Sequence, residues 1–292
     1  MIFKGSGVAL VTPFNEDMSI NFSAIEDLID FHLANKTDAL VLCGSTGESS
    51  SMSTDEKLSV LEFCLNKVNG KIPVIIGAGS NNTNDAISFS KTVASMGASA
   101  ILSVCPYYNK PSQLGLKTHF ESIANSVDIP IILYNVPSRT GVNIAPQTVF
   151  ELSKIPNIVA IKECNFSQVA KIKRLCGDNI DIYSGNDEEV VPMLSLGAVG
   201  VISVLANILP LETHNMCENF FENNIVDSRN SQLRYIPLIE SLFSESNPVP
   251  VKEALNLIGK NVGQCRSPLS HLAPENFSKL RHTLDEYGFN TI

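Results

Sequence analysis

Eight short, almost wholly apolar runs alternate with amphipathic stretches along this chain, and the alternation stops near Asn223. Together these observations predict an α/β protein: a (β/α)8 TIM barrel with a C-terminal three-helix appendage. The runs are Gly7–Thr12, Ala39–Cys43, Pro73–Gly77, Ala100–Val104, Ile131–Tyr134, Ile158–Ile161, Ile180–Ser184 and Gly200–Ser203. Strands that read as continuous rather than alternating apolar runs are buried on both faces, as parallel strands are. They recur every 20–34 residues, one βα unit each. Eight units close a barrel; an open doubly wound sheet has no need of eight regular ones.

The intervening helices are expected near Phe22–Ala34, Thr54–Val68, Thr83–Met96, Gln113–Ser126, Ala145–Lys154, Ser167–Cys176, Asp187–Leu196 and Leu211–Phe221. Ser53 or Thr54 can cap "DEKLSVLEFCL", and "NNTNDA" offers side-chain acceptors before Ala86. Asp187 places an acid in a first helical turn, where the helix dipole favours it. Beyond Asn223, "LRYIPLIESLF", "VPVKEALNLIG" and "PENFSKLRHTLDEYG" read as three helices, the first two separated by the Asn247–Pro250 break. Residues 1–223 are thus expected to form a catalytic barrel and 224–292 a helical domain packed on it, since the latter is small for independent folding.

Composition narrows the function. The 292 residues are 44% hydrophobic and carry a net charge of −9. That excludes a disordered chain and argues against nucleic acid or an anionic membrane as partner, since both need clustered cations. No apolar run reaches the length needed to span a bilayer, and "MIFKGSGVALVTPF" reads as a first strand rather than a signal peptide. Seven cysteines without a C-x-x-C pair are expected as free thiols, in a cytoplasmic protein. Five scattered histidines give no metal-ligand spacing, so no metal and no cofactor is expected.

In a (β/α)8 barrel the active site lies where strands end and βα loops begin. Lys162 closes the apolar run "NIVAIK". A strand-end lysine commonly snorkels to solvent. Held instead in a desolvated mouth it loses its proton, and a neutral amine attacks a ketone to form a Schiff base. Tyr134 ends the preceding strand, beside Lys162 in such a barrel, where its phenol could shuttle protons or simply fill the core. "GSTGE" at 44–48 sets Ser45 and Thr46 on a loop that could hold a carboxylate, although glycine-serine loops are common. Arg139, in "NVPSRTG", could clamp a carboxylate bidentately. Tyr107 and Tyr108 are paired loop aromatics of the kind that reach a neighbouring subunit.

Assembled, these residues resemble the dihydrodipicolinate synthases, of the pyruvate-dependent class I aldolase superfamily. The resemblance covers nearly the whole chain and rests on "VTPF" (11–14), "GSTGE" (44–48), "PYYNKPSQLGL" (106–116), "YNVPSRTG" (134–141), "IKE" (161–163), "SGND" (184–187) and "GVISVLAN" (200–207). It implies that Lys162 forms the Schiff base with pyruvate. Tyr134, Thr46 and Tyr108 would form a proton relay, with Tyr108 donated across a dimer interface. Ser45 and Thr46 would hold the pyruvate carboxylate, Arg139 that of aspartate semialdehyde, with Gly185 and Ile202 contributing backbone beside the lysine. A homotetramer, built as a dimer of dimers and without a cofactor, is implied as well.

Three departures stand out. Ser45 replaces the family's usual threonine, and N-acetylneuraminate lyases often read "GSTGE" too; Arg139 and Tyr107–Tyr108 favour the synthase. "KECNFSQ" is shorter than the usual Glu-Ala-x-Gly-Asn continuation, so the wall beside Lys162 is expected to differ. Thr54 and Lys57 stand where lysine-responsive members carry histidines, although Ser49, Asn81 and Tyr107 match that pocket.

Overall fold

A computed structural model describes all 292 residues. Strands β1 (Gly5–Ala9), β2 (Ala39–Leu42), β3 (Val74–Gly77), β4 (Ala100–Val104), β5 (Ile131–Asn135), β6 (Ile158–Glu163), β7 (Asp181–Ser184) and β8 (Gly200–Ser203) form one closed parallel barrel in sequence order. Its seam pairs Gly5 of β1 with Gly200 of β8. The backbones approach so closely there that a Cβ on Gly200 would lie 2.0 Å from the Gly5 carbonyl oxygen. Only glycine permits that contact.

Around the barrel run α1 (Phe22–Ala34), α2 (Thr54–Val68), α3 (Thr83–Ser95), α4 (Gln113–Ala124), α5 (Pro137–Thr140), α6 (Pro146–Leu152), α7 (Val169–Cys176), α8 (Val190–Ser195) and α9 (Pro210–Phe221). Ser53 starts α2 with a full capping box: its side chain accepts from the Glu56 N–H while Glu56 accepts from the Ser53 N–H. Asn82 caps α3 through its side chain. Then follow α10 (Ile225–Leu242), α11 (Val249–Leu257) and α12 (Pro274–Glu286). No helix is long and apolar enough to cross a membrane.

Two apolar cores follow from the two faces of the strands. A cluster of 13 buried residues, among them Val41, Ile75, Leu102, Tyr134, Tyr183 and Ile202, includes the side chains that fill the barrel. A larger cluster of 66 joins the outer strand faces to the helices and continues without a break into Leu238, Val251, Leu255 and Leu280 of α10–α12. The appendage therefore shares the barrel's core rather than building its own.

Two local expectations are revised. The first strand runs from Gly5 to Ala9 rather than over 7–12, because the Val11 N–H leaves the ladder for the Asn207 side-chain oxygen, 3.2 Å away. Asp187 does not serve a helix dipole. It is buried and accepts from the Ser203 hydroxyl at 2.5 Å and from the Val204 and Leu205 N–H groups at 2.9 and 3.0 Å, fastening the turn after β8. Asp187 opens a single 3-10 turn, and the α-helix proper begins at Val190.

Candidate active site

A cavity of about 200 Å³ opens at the C-terminal end of the barrel. Six of the eight singled-out residues touch it, Ser45, Thr46, Tyr134, Arg139, Lys162 and Gly185. Ile202 does not line it and is buried in β8. Tyr108 does not line it: the side chain is 88% exposed and its backbone adopts φ +74°. Within one chain, the tyrosine assigned to the relay is a surface residue.

The strand register brings Lys162 and Tyr134 together, since β5 and β6 pair them directly across the ladder. Lys162 Nζ stands 4.7 Å from the centre of the Tyr134 ring. Both residues are buried, and Lys162 has no carboxylate within ion-pairing distance. Burial holds the Lys162 amine below the ordinary lysine range; Cys164 and Asp187 oppose that shift, and Arg139 adds to it. Burial also pushes the Tyr134 phenol well above its usual range. At neutral pH that phenol keeps its proton, beside an amine whose charged form burial disfavours.

The hydroxyl loop is held from both sides. On the barrel side the Thr12 hydroxyl donates to the Gly47 carbonyl at 2.7 Å. A Cβ on Gly47 would lie 2.9 Å from the Cys43 nitrogen, so the loop folds back on its own strand only because that residue is glycine. On the appendage side, Lys252 Nζ donates to Glu48 Oε1 at 2.9 Å, to the Thr12 carbonyl at 3.0 Å and to the Gln264 carbonyl at 2.7 Å. Glu48 Oε2 accepts from the Arg266 N–H at 2.8 Å. Both partners of this ion pair are almost fully buried.

Sequence reasoning missed the appendage's share of the site. Phe243 and Asn247, between α10 and α11, line the cavity. The Asn247 side-chain amide donates to Thr46 Oγ1 at 2.9 Å, and its backbone carbonyl accepts from the Arg139 guanidinium at 3.3 Å. The one available signal was the polar residue at the Asn-Pro-Val-Pro break between two apolar helices. In the segment after Lys162, Cys164 lines the cavity. A Cβ on Gly185 would meet the Cys164 sulfur at 2.2 Å, so glycine at 185 makes room for the thiol. Burial pushes that thiol up to about 11, which leaves it a packing group rather than a nucleophile. Cys43 is likewise buried, its thiol raised to about 12.

A closed (β/α)8 barrel with an unpaired lysine and a buried phenol at its mouth defines the class: a lyase of the class I aldolase type. Comparison with known proteins gives the family. The profile of the "Dihydrodipicolinate synthetase family" matches residues 2–287, and the chain belongs to that family. A "4-hydroxy-tetrahydrodipicolinate synthase" of Caldicellulosiruptor saccharolyticus is 54% identical over 291 residues, covering 99% of this chain and 98% of that one. The solved dihydrodipicolinate synthase of Aquifex aeolicus is 41% identical, with a TM-score of 0.96 and 99% of each chain covered. A structure described as the first monomeric dihydrodipicolinate synthase variant is 38% identical at a TM-score of 0.96, covering 99% of this chain and 98% of that one.

Proposed function

We propose that this enzyme condenses pyruvate with aspartate 4-semialdehyde to give 4-hydroxy-tetrahydrodipicolinate, a step of lysine and diaminopimelate biosynthesis. The observation that carries the reading is Lys162: a buried amine with no carboxylate partner, facing a cavity also lined by four hydroxyl-bearing side chains (Ser45, Thr46, Tyr134 and Ser138) and a guanidinium. Neutral Lys162 adds to the pyruvate carbonyl, and water leaves as the iminium forms. The iminium withdraws electrons, so the methyl carbon loses a proton and becomes a nucleophilic enamine. That carbon attacks the aldehyde, and the new alkoxide takes a proton.

Tyr134, Thr46 and Tyr108 are the relay for these transfers. The Asn247 amide donates to Thr46 Oγ1, which leaves the threonine's own proton to point elsewhere. Ser45 and Thr46 receive the pyruvate carboxylate, with Gly185 and Ile202 supplying backbone beside the lysine. Arg139, at the rim, receives the carboxylate of the aldehyde. The exposed position of Tyr108 supports its donation to a second subunit, within a homotetramer built as a dimer of dimers in the cytoplasm. Arg139 also separates this reading from a lyase acting on N-acetylneuraminate. An acidic aldehyde uses the guanidinium, whereas N-acetylmannosamine has no carboxylate to offer it.

Assay of the purified enzyme with pyruvate and either aldehyde tests the reading. Turnover of aspartate semialdehyde is expected; turnover of N-acetylmannosamine alone would overturn it.

A further inference from the structure

Glu163 follows Lys162 on β6 and takes no part in the reaction described above. It is fully buried, and no cation pairs with it. Strand residues alternate between faces, so Lys162 and Tyr134 turn into the barrel while Glu163 and Asn135 turn outward. The register pairs Tyr134 with Lys162 and, one step on, Asn135 with Glu163. Asn135 is fully buried too. Its side-chain amide donates to Glu163 Oε1 at 2.8 Å, so a side-chain bond crosses from β5 to β6 directly behind the reacting pair.

The surroundings require a carboxylate. Oε1 also accepts from the Asn165 N–H at 2.7 Å, and Oε2 accepts from Gln168 Nε2 at 2.8 Å. All three donors are neutral, and none can turn round. The Ile144 N–H donates to Asn135 Oδ1 at 3.0 Å, and the Ile144 carbonyl accepts from Gln168 Nε2 at 3.1 Å. These backbone bonds settle both amides with their nitrogens toward Glu163. Only a group that accepts at both of its oxygens fits there. A glutamine would set its nitrogen against one of the donors whichever way it turned. Burial pushes the Glu163 carboxyl up to about 7, and the bonds from Gln168, Asn165 and Asn135 pull against that. A buried charge without a counter-ion is unfavourable for stability, so packing does not explain this one.

The same bonds reach the other side of the mouth. Ile144 follows shortly after α5, which carries Arg139. The network therefore joins the ends of β5 and β6 to the segment behind the guanidinium. The two strands also slip in register between Ile131 and Ile132, so the alignment of their last residues is not inherited from their first.

We propose that Glu163 is a positioning residue for the reaction proposed above: through Asn135 it holds the Lys162 amine and the Tyr134 phenol in place for imine formation. Attack on a carbonyl depends steeply on placement, and a shift of about 1 Å can slow it roughly a hundredfold. The proposal rests on Lys162 being the Schiff-base lysine, and its test needs pyruvate alone.

Rapid quenching into borohydride, in buffer well above pH 7 so that the parent's carboxyl is ionised, gives three quantities. The end-point label counts competent sites; the time course gives the rate per competent site; a pyruvate series gives the half-saturating concentration. Glu163→Gln is expected to lower the rate per site roughly tenfold to a hundredfold while the half-saturating concentration moves by less than about threefold. A purely structural role would lower the count of sites and the melting temperature but leave the rate per site unchanged, and that result would overturn the proposal. So would a fall in rate that saturating pyruvate restores, which would mean a damaged pyruvate site. If circular dichroism shows Glu163→Gln unfolded, Asn135→Ala, which cuts the cross-strand bond and leaves the carboxylate its other two donors, decides by the same criteria. Should neither variant fold, the role is structural and the proposal fails. A parent enzyme that forms no adduct would refute the reading of Lys162 instead.

Discussion

The molecule buries two lysines, and they have opposite surroundings. Lys252 sits 1% exposed between appendage and barrel; Lys162 sits 6% exposed in the barrel mouth. Each ammonium lies over an aromatic ring, Phe14 at 4.4 Å for Lys252 and Tyr134 at 4.7 Å for Lys162. Burial lowers both. The difference lies in the acceptors. Lys252 donates to a carboxylate and two carbonyls, so its charge is compensated and its three protons are used. Lys162 has no such set. Burial alone therefore does not make a nucleophile. Burial without acceptors does, because only then is the neutral amine the better-accommodated form.

Exchanging the roles of the two sites is the way to break this comparison. Lys162→Ala is expected to abolish the pyruvate adduct and all turnover while leaving the melting temperature unchanged or raised, since it removes an uncompensated buried amine; calorimetry and borohydride trapping check both halves. Lys252→Met is expected to do the reverse. It leaves Glu48 buried without its cation and destabilises the fold by about 3–5 kcal/mol. Adding Glu48→Gln is expected to restore part of that loss, read in denaturant titrations. An additive double variant would mean that the two residues do not act as a pair.

Two smaller effects sharpen the account of the mouth. Arg139→Ala is expected to raise the KM for aspartate semialdehyde by about 10- to 100-fold, with far less effect on pyruvate. It also removes a positive neighbour that helps hold the Lys162 amine low. The amine then keeps its proton to higher pH, so the acid limb of adduct formation moves upward in pH, as a pH series of trapping rates would record. Tyr108→Phe is expected to lower turnover roughly tenfold with adduct formation largely retained. Equal turnover would remove Tyr108 from the relay.

What could be read from the sequence divides along the same line. The strands were legible because parallel strands buried on both faces leave continuous apolar runs, and Lys162 and Tyr134 were legible because each closes one of them. Strand order makes β5 and β6 neighbours, but the pairing of Tyr134 with Lys162 also depends on a register shift between Ile131 and Ile132. Asn247 and the Lys252–Glu48 pair were not. Asn247 meets Thr46 across 201 residues and Lys252 meets Glu48 across 204, and no local period reports such contacts. The three C-terminal helices were found, but their share of the site was not, because it is made by the break between two of them. Asp187 was misread for a related reason: its acid suits a helix start, yet its partners lie 16 to 18 residues further on, at β8.

The most direct test is mass spectrometry of peptides after incubation with pyruvate and borohydride. The account predicts one reduced pyruvyl adduct per chain, on the peptide carrying Lys162, and none on Lys252. No adduct, or label on any lysine other than Lys162, would contradict it.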